Sequence, residues 1–522
     1  MKRDYLKYTV VILLGLGALT SCKKSYLETT PKGKFLQANY YSSPDEAFAG
    51  LVAAYDPLVT ETGGLDNNYI DQRGLLNSGS DDVNSGGGDS GDTPDFQEFA
   101  DYSRITSGAG PQNGLWPILY LGVSRANTII SVLTTTTIPG LTDDLKNRYV
   151  AEATFLRAHY YFDLVRLFKN VPLITKPLLP TDIYNEVQAK PADVYAQIEA
   201  DLNAAIPNLP TTIATSEEGR ASQGAAVALL GKVYLYEQKW TQSAAELAKV
   251  NGPTPGGTTP IYNYKLQANY GAVFSPDNKY NSESIFELNF SPSQAYTWNN
   301  WGSFKGDVYC EQVGPRNYSD ATYAGGWGIN PITPQLVAAF KTPYYGGTTT
   351  DPRYGYTVLN MDSLVAAKST PANPVTYQAS FNNTGYFIMK YTPLTKYKAT
   401  QGTPELNYPN DYIEIRLADT YLLEAEALVN GGGDAGRAAA LINAVRARVG
   451  LAPVAATMAN IKAERRLELA TEGHRWYDLV RWGDAASALA FKNFKAGTNE
   501  ILPIPLVDLG STKLVQNPGY GK

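Results

Sequence analysis

Along residues 143–168 the apolar positions Leu145, Tyr149, Ala153, Leu156, Tyr160, Leu164 and Phe168 recur every three or four residues. That spacing predicts an amphipathic helix, which Asp143 or Asp144 can cap and Asn170-Val171-Pro172 ends. A denser apolar run over 115–133 predicts a second helix that stops at Thr134 to Thr137. Residues 191–206 predict a third, closed by Pro207 and Pro210. A helical pair over 221–237 and 241–250 follows, joined by Gln238-Lys239-Trp240. Between Gly252 and about Asn410 the pattern changes. Stretches such as GPTPGGTTP, GGTTT and KSTPANP break every helical period. Short alternating runs at 284–290 and 386–391 predict strands there. Helices are predicted again at 411–430 and 434–449, separated by Gly431-Gly432-Gly433, with Gly450 as a C′ residue. A final long helix is predicted over 461–482, before a Pro-rich extended tail from Ile501.

Two features suggest that the helices form repeats. HYYFDLVRL (159–167) and HRWYDLVRW (474–482) share the His, the Asp-Leu-Val-Arg core and aromatic positions, and each contains one of the only two His residues. Leu230-Gly231-x-x-Tyr234 also matches part of the tetratricopeptide pattern, with Ser243 where that pattern has alanine. Helical hairpins of this kind stack to share one core. The expected fold is mainly α, a tetratricopeptide-like hairpin scaffold (about 40–60, 115–250 and 411–485) with a long loop-rich insertion (about 252–410).

Composition removes several functional classes. The 522 residues carry 44 Lys and Arg against 50 Asp and Glu, so there is no basic excess for a nucleic acid. Two His and two Cys cannot build a zinc cluster or a disulfide framework. No metal or cofactor is expected. Residues 1–22, MKRDYLKYTVVILLGLGALTSC, combine Lys2, Arg3 and Lys7 with ten apolar positions. A membrane-spanning helix needs about 20 such residues, so the run has the size of a signal-peptide core. Leu19-Thr20-Ser21-Cys22 resembles a bacterial lipobox, which implies a signal peptide over 1–21 and a lipid on Cys22. Acyl chains anchor at roughly 0.8 kcal/mol per buried CH₂. Cys310 then has no partner for a disulfide and is expected to be buried and inert.

Motifs in a fixed order complete the picture. They include SYLETTPKG (25–33), DEAFAGLVAAYDPL (45–58), LNSGSDDV (76–83) and EATFLRAHYYFDLVRLFKNVPLI (152–174). GRASQGAAVALLGKVYLYEQKW (219–240), NSESIFELNF (281–290), YIEIRLADTYLLEAEAL (412–428), ERRLELATEGHRWYDLVRWG (464–483) and LPIP with QNPGY (502–520) follow. In this order the chain resembles the SusD/RagB family of outer-membrane nutrient-binding lipoproteins of Bacteroidetes. The resemblance implies one SusD-like domain over 22–522, displayed on the outer face of the outer membrane. It also implies a partnership with a SusC-like TonB-dependent transporter. The expected activity is capture of glycans, or of peptides and other nutrients, without catalysis.

The residues offer an independent argument for a sugar. Residues 291–330 hold eight aromatics in 40 positions, among them Tyr296, Trp298, Trp301, Tyr323 and Trp327. Sugar C–H faces pack on such rings, and hydroxyls need donors and acceptors such as Asn299, Asn300, Asp307, Arg316 and Asn317. By resemblance, loops after the first helix add to the ligand face, which nominates Arg73 and Asp82. DDVNSGGGDSGD (81–92) is oxygen-rich without EF-hand spacing and reads as a solvated loop rather than a Ca²⁺ site. His159 and His474 are expected in helix packing or ion pairs. Glu464, Glu468 and Glu472, spaced i, i+4, are expected on a solvated helix face. A glycoside hydrolase, the competing reading, needs two carboxylates facing a sugar, and no pair is marked in the sequence.

Overall fold

The structure, a computed structural model, describes residues 41–59, 71–179, 181–292, 294–300, 304–342 and 349–521, with the backbone alone at Asn300. Cys22 and the leader, like Trp301, lie outside the described residues. Among these residues helix dominates and four short strands make two two-stranded sheets. The mainly helical expectation holds.

The scaffold begins with α1 (Pro44–Val59), α2 (Gln72–Gly79), α3 (Pro94–Ala100) and α4 (Gln112–Thr135). At its centre is α5 (Asp143–Phe168). Thr142 caps α5 by accepting from the Leu145 N–H, and Asp143 and Asp144 face the positive end of the helix dipole. The helix starts where expected, but Thr142 rather than Asp143 or Asp144 is its cap, and the stripe is not as predicted. From Ala151 to Val165 every residue is buried, polar ones included. The polar positions are matched by neighbours. Glu152 takes Arg148 and Arg220, and Arg157 forms a bidentate pair with Asp201 at 2.7 and 2.8 Å. Asp201 lies on α6 (Pro191–Ala205), so that pair locks two neighbouring helices.

Next come α7 (Gln223–Tyr236) and α8 (Trp240–Asn251), the predicted hairpin. Gly231 is required where they cross, since a Cβ there would sit 2.6 Å from Leu247 Cγ. The Ser243 hydroxyl donates to the Gly231 carbonyl at 2.8 Å, which explains how a hydroxyl is tolerated at a fully buried helix crossing.

The insertion contains β1 (Ser284–Leu288), β2 (Val358–Asn360) and β3 (Tyr386–Ile388), with short helices α9 (Val308–Val313), α10 (Pro334–Lys341), α11 (Tyr354–Thr357) and α12 (Met361–Lys368). The strands at 284 and 386 are as predicted and the short helices are additions. The chain then enters β4 (Tyr412–Arg416), α13 (Leu417–Asn430), α14 (Ala435–Arg448), α15 (Met458–Glu468), α16 (Arg475–Trp482), α17 (Ala485–Ala488) and α18 (Leu506–Ser511).

Two helix predictions are corrected here. Residues 412–416 form a strand because Ile413 and Ile415 alternate into the core and pair antiparallel with β1, Glu287 opposite Ile413. The long helix over 461–482 is broken after Glu468, where Thr471 and Gly473 adopt φ 68° and 82°. Side chains from elsewhere take up the freed backbone groups. Asn77 on α2 accepts from the Gly473 N–H and donates to the Thr471 carbonyl, and Lys390 donates to the carbonyls of Glu468 and Ala470.

The glutamate ladder is also corrected. Glu464, Glu468 and Glu472 are each 0 % exposed. Glu464 meets Arg353 at 2.5 Å and Arg446 at 2.8 Å, and Glu472 meets Arg416 at 2.7 Å and Lys390 at 2.6 Å. Glu468 takes Arg416 at 2.6 Å, Arg353 at 2.9 Å and Arg448. Glu283 and Asp351 complete the group, so five cations (Arg353, Lys390, Arg416, Arg446, Arg448) balance five carboxylates. They come from the insertion, from β4 and from α14 and α15. The i, i+4 spacing is that of a helix face, but the face is turned inward.

Removing one member of such a network leaves a buried charge uncompensated, which costs about 3–5 kcal/mol. Glu468→Gln is therefore expected to lower urea-unfolding stability by about that much, and a loss below about 1 kcal/mol would contradict the network's role. Against burial, which raises it, the three guanidiniums hold the Glu468 carboxyl well below its usual range. Its contribution is therefore present above the unfolded carboxylate range, about pH 4–5, and is lost as pH falls further. The melting temperature of the parent should drop in acid more steeply than that of the variant.

Candidate functional site

The aromatic segment is held from below by one amide. Asn407 donates through Nδ2 to the Tyr296 carbonyl at 2.8 Å and accepts the Tyr296 N–H at Oδ1 at 2.9 Å. The Thr403 N–H adds a second bond to the same carbonyl. Tyr296, Phe304, Val308 and Leu406 form a small apolar cluster with Trp327 packed against it. Gly306 lets the chain pass Leu406, because a Cβ there would be 2.2 Å from the Leu406 carbonyl oxygen.

Trp327 is placed by a ladder of backbone bonds to α9 and the residues after it. The Trp327 N–H donates to the Glu311 carbonyl and the Gly328 N–H to the Gly314 carbonyl, both at 2.8 Å. The Ile329 N–H donates to the Gln312 carbonyl at 2.7 Å. Gly314 and Gly326 make this approach possible. Arg316 returns to the Trp327 carbonyl through Nη1 at 3.1 Å. Two further loops join here. Gly87 N–H donates to the Gly328 carbonyl and Phe381 N–H to the Gly87 carbonyl. The Gln378 N–H donates to the Arg316 carbonyl, and Asn317 Nδ2 donates to Gln378 Oε1 at 2.5 Å. The Gly-rich stretch 86–92 and the aromatic segment, both singled out in the sequence, thus meet at one surface.

At this junction Asn317 and Gln378 are exposed beside half-buried Trp327 and Arg316, and Trp298 (43 %) and Asn299, next in the chain to the Tyr296 anchor, are exposed as well. On α9, burial and then the neighbouring Glu405 push the Glu311 carboxyl up to about 8, against the opposing pull of Lys398. Aromatic rings with amides and a guanidinium suit a polyol, whose C–H faces pack on rings and whose hydroxyls need such donors and acceptors.

The remaining nominated residues are distributed differently. Tyr296 is 5 % exposed and serves as an anchor. Tyr323 is half-buried in a separate cluster with Tyr318, Met361 and Phe387, its hydroxyl 3.9 Å from Met389 Sδ. Arg73 and Asp82 are corrected to interior positions. Arg73 is 1 % exposed, paired with Asp71 and Asp307 at 2.9 Å each and enclosed by the rings of Tyr309, Tyr391 and Tyr412. Asp82, also 1 % exposed, meets Arg466 at 2.7 Å. Both tie α2 and its following loop to the insertion and to α15. Asp307 caps α9 from inside the same group. Gln378, Glu311 and Asn407 had no mark in the sequence, since each acts through a partner more than ten residues away.

The potential catalytic groups are committed elsewhere. Cys310 is 0 % exposed, its thiol 3.2 Å from Asp307 Oδ2 and pushed up by burial and by that carboxylate. His159 Nε2 lies 2.6 Å from Glu414, and burial pushes His474 down to about 4. Burial also raises Glu287 to about 8 and Asp411 to about 6. Their oxygens, however, take the N–H groups of Tyr280 and Phe290 and the Lys279 ammonium.

Comparison with known proteins places this architecture. A sequence model described as "SusD family" matches residues 282–501, and one described as "Starch-binding associating with outer membrane" matches residues 56–235. A solved laminarin-binding SusD-like protein is 45 % identical, with a TM-score of 0.84 over 92 % of this chain and 100 % of that one. Surface glycan-binding protein A from Bacteroides thetaiotaomicron, solved with laminarihexaose, is 25 % identical with a TM-score of 0.80 over 91 % and 99 % of the two chains. A SusD-like protein of Bacteroides ovatus is 27 % identical over 92 % of this chain and 83 % of its own length.

The burial of Cys310 gives a direct test. In protein lacking residues 1–22, a thiol reagent such as Ellman's should label Cys310 only after denaturation. Labelling within seconds under native conditions would contradict its enclosure.

Proposed function

The chain belongs to the SusD family, and on that footing we propose that it binds a glycan at the Trp298–Trp327 face and passes it to a SusC-like TonB-dependent transporter. The observation that supports this most is the face itself. A half-buried indole, Trp327, packs on the small Tyr296–Phe304 core beside Arg316, Asn317 and Gln378, and the exposed indole of Trp298 follows Tyr296 by two residues. The 252–410 insertion serves as the ligand-binding part of a single domain over 22–522. The likeness to a laminarin-binding protein at 45 % identity makes a β-glucan of that kind the first ligand to test.

In this reading the protein holds its ligand without altering it. Removal of residues 1–21 and lipidation of Cys22 keep it on the outer face of the outer membrane, next to the transporter. Aromatic stacking with scattered hydrogen bonds supports capture followed by release, because no single charged contact dominates the affinity.

Calorimetric titration of protein lacking residues 1–22 with laminarihexaose should show binding, and incubation with laminarin should release no reducing ends. Trp298→Ala and Trp327→Ala should each weaken binding roughly five- to thirtyfold, or about 1–2 kcal/mol of lost ring contact. Circular dichroism melting serves as the control for folding. Parent-like affinity in both variants would move the site elsewhere, and release of reducing ends would make the protein an enzyme.

A further inference from the structure

A second groove lies where the insertion meets the start of α7. It is open to solvent, and its volume of about 270 Å³ is just under the roughly 300–1,000 Å³ of small-molecule sites. Its walls come from Thr211 and Thr212 before α7, from Tyr264, and from Tyr280 and β1. It shares no lining residue with the Trp298–Trp327 face.

Two half-buried tyrosine rings are fixed in this groove. Tyr264 lies against Gly224 of α7, where a Cβ would be 2.9 Å from Tyr264 Cε2, and Tyr262 stacks on it at 5.6 Å and 25°. The Tyr264 N–H donates to Thr259 Oγ1 at 2.8 Å. Tyr280 has φ 48°, a left-handed conformation that is costly for a bulky residue. The buried Glu287 carboxyl accepts the Tyr280 N–H at 3.0 Å. Gly219, itself at φ 92°, leaves room for the Tyr280 hydroxyl, which is 3.1 Å from where a Cβ would stand. Tyr280 packs in none of the apolar clusters among the described residues, so core packing does not account for its conformation.

The groups around the rings are mostly neutral. Thr211, Thr212 and Asn263 are exposed in the lining, and among the described residues their side chains make no hydrogen bond to the protein. Ser222 Oγ lies 3.4 Å from the Tyr264 hydroxyl. Arg220, the one lining cation, is held by Glu152 and Glu217. Glu287 is occupied by the Tyr280 N–H, and Glu218 is exposed at the rim. Nothing in this lining selects an anion. Two fixed rings among hydroxyls and an amide match the C–H faces and hydroxyls of a sugar.

We propose that this groove is a second glycan site, in which Tyr264 and Tyr280 carry sugar units of a neutral chain and Thr211, Thr212, Asn263 and Glu218 meet its hydroxyls. The proposal rests on the reading that the ligand is a glycan, and not on where the first site lies. A polysaccharide long enough to reach both places is held at two points, so it stays on the protein while either site releases.

The test is stoichiometry. Calorimetric titration of protein lacking residues 1–22 with laminarihexaose, cellohexaose, maltohexaose and xylohexaose selects the glycan that binds. With it the parent should titrate to two sites per molecule and Tyr264→Ala to one. Trp298→Ala combined with Trp327→Ala should also leave one site, and all three changes together none. Thr212→Arg, which crowds the groove without removing a ring, should repeat the Tyr264→Ala result, with circular dichroism melting as the check on folding. A single parent site that the tryptophan changes abolish and Tyr264→Ala leaves intact would overturn this proposal while the first face stands. A single site lost in Tyr264→Ala and Thr212→Arg but kept in the tryptophan variant would support this groove and remove the first face. No binding of any of the four glycans would overturn both.

Discussion

Five buried guanidinium and ammonium groups facing five buried carboxylates are the constraint on which the rest of this molecule depends. Glu464, Glu468 and Glu472 bring three negative charges into the interior along α15 and the turn after it. Arg353 and Lys390 arrive from the insertion, Arg416 from β4, and Arg446 and Arg448 from α14. None of these groups is tolerable alone in a low-dielectric interior. The loop-rich insertion therefore has a fixed position against the helices even though it contributes little regular structure.

The proposed ligand face follows from that position. Tyr309 and Val313 on α9, Leu336 and Phe340 on α10 and Tyr391 pack in one cluster with Leu467 and Ala470 on the scaffold. Through α9 this cluster sets the backbone ladder that carries Trp327. Arg73, enclosed between Asp71, Asp307 and three tyrosine rings, fastens α2 to the same helix. A residue nominated for the ligand thus acts behind the proposed face, holding in place the loops that carry it.

Periodicity disclosed α4, α5, α6 and the α7–α8 hairpin nearly to their ends, because apolar spacing, caps and prolines are local signals. It misread 412–416 as helix because YIEIR runs directly into the apolar pattern of α13, and only pairing with β1 distinguishes the two. It joined α15 to α16 because the break at Thr471 and Gly473 is stabilised by Asn77 and Lys390, remote in the chain. The candidate site divided in the same way. The aromatic enrichment of 291–330 was visible, whereas Asn407, Glu311 and Gln378 acquire their roles from contacts that leave no local pattern.

By itself, then, the amino-acid sequence determined the helical class, the hairpin, the order of motifs and the concentration of rings in one segment. All of these are written in short-range spacing or in composition. Tertiary structure alone decided which charges are interior and which rings are exposed. An i, i+4 row of glutamates is equally compatible with water or with a ring of arginines, and burial is a property of the partners that pack against it. For the same reason the two histidines of the repeat read as isolated packing residues along the chain, yet in the fold they line one partly open pocket.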